Sequence, residues 1–149
     1  MSAIPKLSAL TALVKTAIAA SALVQEKTIA VIVDEGLQDD EVSEALEKKG
    51  AVILVLPVMS VGRRDQSGNA AILEAELTVK LMISPKSNRD NNTNLNIYDA
   101  IVAIVSALVK YSRHPGGEFF KCSDTVAGLS AFDPGLWVYD LFFTKECVL

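Results

Sequence analysis

Histidine is nearly absent from this chain, cysteine is scarce, and clustered basic charge is missing. One His and two Cys occur in 149 residues, with 14 Lys plus Arg against 18 Asp plus Glu. A zinc site built from His and Cys therefore has no ligand set. Cys122 and Cys147 are too few for a disulfide scaffold and too far apart for a compact metal clip. The net charge of −4 argues against a general nucleic-acid binder, which needs clustered Lys and Arg to displace counterions. Neither GxxxxGKS/T nor GxGxxG occurs, which removes the usual phosphate cradles.

No apolar run is long enough to cross a bilayer. Residues 7–24 come nearest, with Lys6 before them and an Ala-Ala-Ser-Ala run near their end, a superficial likeness to a signal peptide. Lys15 interrupts the run in its middle. The segment instead reads as an amphipathic packing helix, with Leu7, Leu10, Leu13, Val14, Ala17 and Ile18 as its stripe and Pro5 near the first turn.

Hydrophobic residues make up 50% of the chain and charged ones 21%, so a packed core is expected and disorder is not. A single domain over residues 1–149 is the simplest organisation, burying roughly two-thirds of its unfolded surface. A reducing cytosol is the expected place of synthesis, with both cysteines acting as small apolar strand residues.

The clearest pattern lies at 71–83. Ala71, Leu73, Ala75, Leu77, Val79, Leu81 and Ile83 fall on one side, and Ile72, Glu74, Glu76, Thr78, Lys80 and Met82 on the other. A period of two marks a strand with one dry face and one wet face. Before it, 28–33 (TIAVIV) reads as a strand, and 34–38 as a loop. A short helix follows, with Asp39 and Asp40 at its start, Lys48 and Lys49 at its end and Gly50 beyond. Residues 51–58 (AVILVLPV) are apolar on both faces, as in a central strand, with pairing weakened at Pro57. The tract 62–69 makes a polar, exposed hairpin tip.

Residues 84–94 (SPKSNRDNNTN) read as a loop ending in a helix cap at Thr93 or Asn94. The helix then spans 95–109, with Tyr98, Ile101, Val102, Val105, Leu108 and Val109 as its stripe, widened by Ile97 and Ile104. So broad an apolar girth belongs to a deeply buried helix or one touching another subunit. Residues 113–117 stop it. Strands at 119–126 and 136–147 close the chain around an Asp133-Pro134-Gly135 turn. The fold class is α+β: one mixed, mainly antiparallel sheet with a long hairpin and helices mainly on one face. Strand order, and the sense of 28–33 against 51–58, stay open at this level.

Chemistry is hard to find. His114 lacks an adjacent nucleophile or positioned carboxylate and reads as a helix-end contact. Asp34, Glu35, Asp39, Asp40 and Glu41 lack the alternate spacing of a calcium loop and read as a helix start. No catalytic, cofactor-binding or metal residue is assigned, and an enzyme is not expected. Arg63 and Arg64 at the hairpin tip read as solvated loop charges or as partners of an acidic neighbour across a subunit contact. Trp137, Tyr139 and Phe143 read as core, or as interface aromatics.

The element order, carried by 41–58 (EVSEALEKKGAVILVLPV), 71–83 (AILEAELTVKLMI), Ser87-Asn88-Arg89, the helix 98–109 and the ending 133–139, resembles the tail terminator (tail completion) proteins of long-tailed bacteriophages. The resemblance implies a structural virion subunit made in the host cytoplasm. It implies a homo-oligomeric ring, usually sixfold, that stops tail-tube polymerisation and meets the head connector, with no cofactor. DNA would pass the lumen without specific binding, which the net negative charge suits, with Glu74 and Glu76 as lumen candidates. Candidate subunit or partner contacts are Arg63, Arg64, Glu74, Glu76, Trp137 and Tyr139. Another neck or head-closure protein has the same expected fold. A small ligand-binding α/β enzyme domain finds its best support in Val33-Asp34-Glu35-Gly36 after a strand, where ligand sites often lie.

Overall fold

The computed structural model describes residues 4–63, 72–109, 120–133 and 135–149. The axis of its sheet is β4, here numbered in chain order and spanning Leu73–Ile83. Its alternation sorts side chains as expected: Ala75, Leu77, Val79, Leu81 and Ile83 all lie in the core. On one edge β4 pairs antiparallel with β2 (Ala51–Val55) and then β3 (Ser60–Arg63). On the other it pairs antiparallel with β6 (Leu136–Cys147) along its whole length.

β2 and β3 form one hairpin arm, broken around Pro57, which has no N–H to give a ladder. The amides of Leu56 and Met59 still donate to the carbonyls of Thr78 and Glu76, at 3.1 and 2.9 Å, so the arm stays beside β4. β1 (Ala30–Val33) joins β2 in parallel and forms one edge of the sheet. β5 (Lys121–Asp133) joins β6 antiparallel and forms the other. The order is β1-β2-β4-β6-β5, with β3 also on β4. All five residues of β2 are buried, as the doubly apolar pattern required.

A 3-10 turn (Leu7–Ala9), α1 (Leu10–Ala19), α2 (Ala22–Lys27) and α5 (Ile97–Leu108) cover one face. Leu10, Val14, Ile18, Val24, Ala100, Ile104 and Leu108 share a single cluster with Ile53, Val55, Leu81, Leu141 and Phe143. α3 (Asp39–Lys49) packs on β2 from the opposite side, where Val52 and Leu54 are buried outside that cluster. The architecture is thus α+β, a mixed and mainly antiparallel sheet with helices mainly on one face.

Several boundaries differ from the sequence reading. The N-terminal helix breaks at Ser21, whose backbone is extended, and Leu13 points outward at 44% exposure. The strand expected from residue 28 starts at Ala30, because Thr28 closes α2 in the left-handed region at φ 55°. The loop 84–94 contains a helix, α4 (Pro85–Asp90), with Pro85 in its first turn, where the missing N–H is harmless. The cap of α5 is Asn96 rather than Thr93 or Asn94: its Oδ1 accepts the amides of Tyr98 and Asp99 at 2.9 and 3.1 Å. β5 runs on to Asp133, beyond the expected end at 126. The hairpin tip 64–71, the segment 110–119 with His114, and Pro134 lie outside the described residues.

The joint between α3 and α4 is tight. Gly50 ends α3 at φ +76°, and a Cβ there would sit 2.0 Å from the backbone N of Asn88. Asn88 in turn clamps the chain before α5, donating to the Leu95 carbonyl at 3.0 Å and accepting the Leu95 amide at 2.9 Å. Gly36 is also left-handed, at φ +89°, but has open space around it. Gly50→Ala should lower unfolding stability by about 2–4 kcal/mol, because backbone must move. Gly36→Ala should cost only about 1–2 kcal/mol, from conformation alone. Urea unfolding of the two variants checks the contrast.

Candidate interaction surface

The six candidate contact residues do not converge on one spot. Trp137 and Tyr139 occupy odd positions of β6 and share the helix-covered face, opposite Ile83 and Leu81 of β4. Glu74 and Glu76 project from the other face of β4, opposite Glu146 and Thr144. The levels of Tyr139 and Glu76 are five residue steps apart along β4 (Leu81 to Glu76 in register), roughly 17 Å at about 3.4 Å per step. The Glu76 carboxylate accepts a 2.8 Å hydrogen bond from the Ser60 hydroxyl, which ties β3 to β4. Arg63 ends β3 opposite Leu73, while its side chain and all of Arg64 lie outside the described residues.

The aromatic end carries more surface than the sequence reading assigned to it. The Trp137 ring packs on Phe132 with centroids 5.3 Å apart and planes tilted by 53°. Trp137 also lines a shallow depression of about 290 Å³ with Ile83, Leu95, Ile97 and Tyr98. Tyr98 is 76% exposed, Val102 62%, Phe132 63% and Leu129 50%. These residues lie on α5, β5 and β6, and Asp99 is the one charged residue in α5. An exposed apolar strip flanking a sheet edge, with so little charge, has the composition of an interface core.

The expected stripe of α5 named Tyr98 and Val102 as inward-facing. In the structure Leu108 and Ile104 are buried with Ala100, and Ile97, Ile101, Val105 and Val109 pack against the core, while Tyr98 and Val102 turn outward. Both faces are apolar, so periodicity alone could not choose the phase. The small Ala100 side chain lets one face approach the sheet closely. The breadth of the apolar girth leaves Tyr98 and Val102 as large apolar side chains at the surface. Phe132 and Leu129 were given no role, because they lie between the expected strand end at 126 and the turn at 133–135.

The other edge of the sheet is also open. β1 has no charged residue, no Pro and no bulge, and all four of its residues are partly exposed. A groove of about 660 Å³ follows it, lined by Thr11, Ala12 and Lys15 of α1, by Val31 and Val33, and by Glu41 at the start of α3. Edge strands usually carry a protective charge or Pro, and β1 carries neither.

Among the described residues no group of three His, Cys, Asp or Glu is placed to hold a metal ion. Burial pushes the thiols of Cys122 and Cys147 above their ordinary range, as befits apolar strand residues. Lys80 and Asp140 pair at 3.3 Å across β4 and β6 on the face away from the main core. Lys145 is buried with its ammonium 6.0 Å from the Phe120 ring centre, and nothing in the sequence pattern marked it.

The two faces of α5 should separate in mutagenesis. Ile104→Ala, at a fully buried site, should lower unfolding stability by about 2–5 kcal/mol. Val102→Ala should change it by less than about 0.5 kcal/mol, as at other surface sites. Urea unfolding at low protein concentration, where self-association does not contribute, reads both. No protein-family model and no curated protein matches the chain, and the surface is read from its own geometry.

Proposed function

We propose that this chain is a ring-forming structural subunit of the tail-terminator kind, a cap on the tail tube of a long-tailed bacteriophage. The observation that supports it best is the exposed, nearly uncharged apolar strip of Tyr98, Val102, Leu129 and Phe132 on a sheet open at both edges. Such a surface favours permanent contact with protein over a diffusing substrate. Unlike edges at opposite ends of one sheet suit a heterologous contact, which repeats from copy to copy and gives a ring when the rotation closes. The resemblance of the element order to tail terminators supplies the rest of the reading: a homo-oligomeric ring, usually hexameric, between the tail-tube protein and the head connector. In this reading the protein acts in the virion, needs no cofactor, and is not an enzyme.

Glu74 and Glu76 stand on the sheet face and strand end away from the aromatic strip, at the level of Glu146 and Thr144. Acidic groups there would let DNA slide through a lumen without sticking. Replacing both by Lys should slow DNA delivery while leaving ring formation intact. Normal delivery would remove these two residues from the lumen.

Negative-stain microscopy combined with light-scattering mass on concentrated protein tests the main reading. Closed rings of several copies with a central hole are the expected result. A tube-assembly assay completes the test: tubes should stop growing when the protein is added. A monodisperse monomer that leaves tube length unchanged would overturn the reading.

A further inference from the structure

We infer that neighbouring copies join by strand addition, with β5 of one copy pairing antiparallel to β1 of the next, so that the sheet runs on across the contact. The inference rests on the ring reading above and adds the surface that makes the ring. Its starting point is register. The rows Val31–Ile53–Leu81–Tyr139–Leu129, Ile32–Leu54–Lys80–Asp140–Gly128 and Val33–Val55–Val79–Leu141–Ala127 run straight across β1, β2, β4, β6 and β5. The free edge of β1 and the regular part of β5 therefore stand at one height in the sheet.

Direction agrees as well. β1 and β2 run one way, β4 the other, β6 with β2, and β5 against it. A second copy placed beside the first with the same polarity brings β5 to β1 antiparallel. Residues 127–131 (AGLSA) are small apart from Leu129 and carry no charge, like β1. A Cβ added at Gly128 would meet nothing within 4 Å, so this strand is slim on the face away from the helices. A slim strand is what the groove between α1 and the start of α3 can admit.

Leu129 shares the row of Val31, on the face that α1 covers. Across the joint it would meet the wall of the groove that Thr11, Ala12 and the stem of Lys15 form on the neighbour's α1. Backbone groups along both edges would gain partners, and main-chain pairing of this kind is a recurrent mode of protein association. A second copy is the occupant that supplies the matching edge, the matching height and the matching strand direction together.

Cysteine cross-linking of the full chain tests the contact. Directly opposed residues on antiparallel strands lie about 4.5–5.5 Å apart, within the Cα separation that a disulfide spans. Val31→Cys combined with Leu129→Cys, or with Ala127→Cys one register step away on the same face, should give a ladder of linked copies under oxidising conditions. The ladder should collapse on reduction. Val31→Cys with Gly128→Cys places the thiols on opposite faces and should give none, and neither should any single variant, which also controls for Cys122 and Cys147. Rings in the microscope without a ladder from either pair would overturn the strand pairing and leave the capping reading standing. Neither rings nor ladder would count against both. A ladder from the Gly128 pair as strong as from the others would also overturn the pairing, because it would show chance collision.

Discussion

The two-sided pairing of β4 is the constraint on which the rest of the molecule hangs. Its eleven residues are matched one for one by β6 on one edge, and by β2 and β3 on the other. A slip of one residue would turn Ala75, Leu77, Val79, Leu81 and Ile83 to the thinly covered face and drive Glu74, Glu76 and Lys80 into the core. That penalty fixes the register of three strands at once. It also positions β1 and β5, which attach only through β2 and β6. The ladder carries the helices too, since α1, α2 and α5 share one apolar cluster with the odd-numbered residues of β4.

Because that face is so strongly marked, it could be read from the residues, although the strand order and register could not. The alternation over 71–83 named the dry face of β4 correctly, and the doubly apolar run from 51 marked β2 as central. The acidic start and the Lys48-Lys49-Gly50 end delimited α3. These are strong local signals, and tertiary packing agreed with each. Failures fell where two answers had similar local energy. An Asn-rich tract reads as a loop, yet a helix forms inside it, with the Asn91 amide donating to the Ser87 carbonyl at its end and Asn88 tying the following turn to Leu95. A helix apolar around most of its girth leaves the limits of its buried face open: Ile101, Val105 and Leu108 of the expected stripe pack on the core, while Tyr98 and Val102 stay exposed.

The candidate surface was less legible than the fold for the same reason. Sequence can report that α5 is apolar around much of its girth, but not which of those residues stay exposed. It also named Trp137 and Tyr139 while passing over Phe132, although the two rings Phe132 and Trp137 touch across the β5–β6 turn. That pairing depends on the register of a hairpin with irregularities at two places, between Cys122 and Ala127 and between Leu129 and Ala131. Bulges shift which face a side chain takes, and no alternation count can follow them.

The bulges also bear on how the sheet could end where it does. A long, regular and apolar edge would pair with any strand it met. β5 is irregular over residues 123–126 and regular from 127 to 129, so its free edge is restricted to a short stretch level with the four residues of β1. On the helix side, α1 and α5 stand at opposite flanks of that sheet and leave Leu13 and Val102 outward. A solitary chain gains nothing from this arrangement. It exposes large side chains and leaves two unprotected edges of similar length at the same height. For a chain that meets its own copy side by side, the same features become a short, specific seam, with the irregular part of β5 limiting how far pairing can spread.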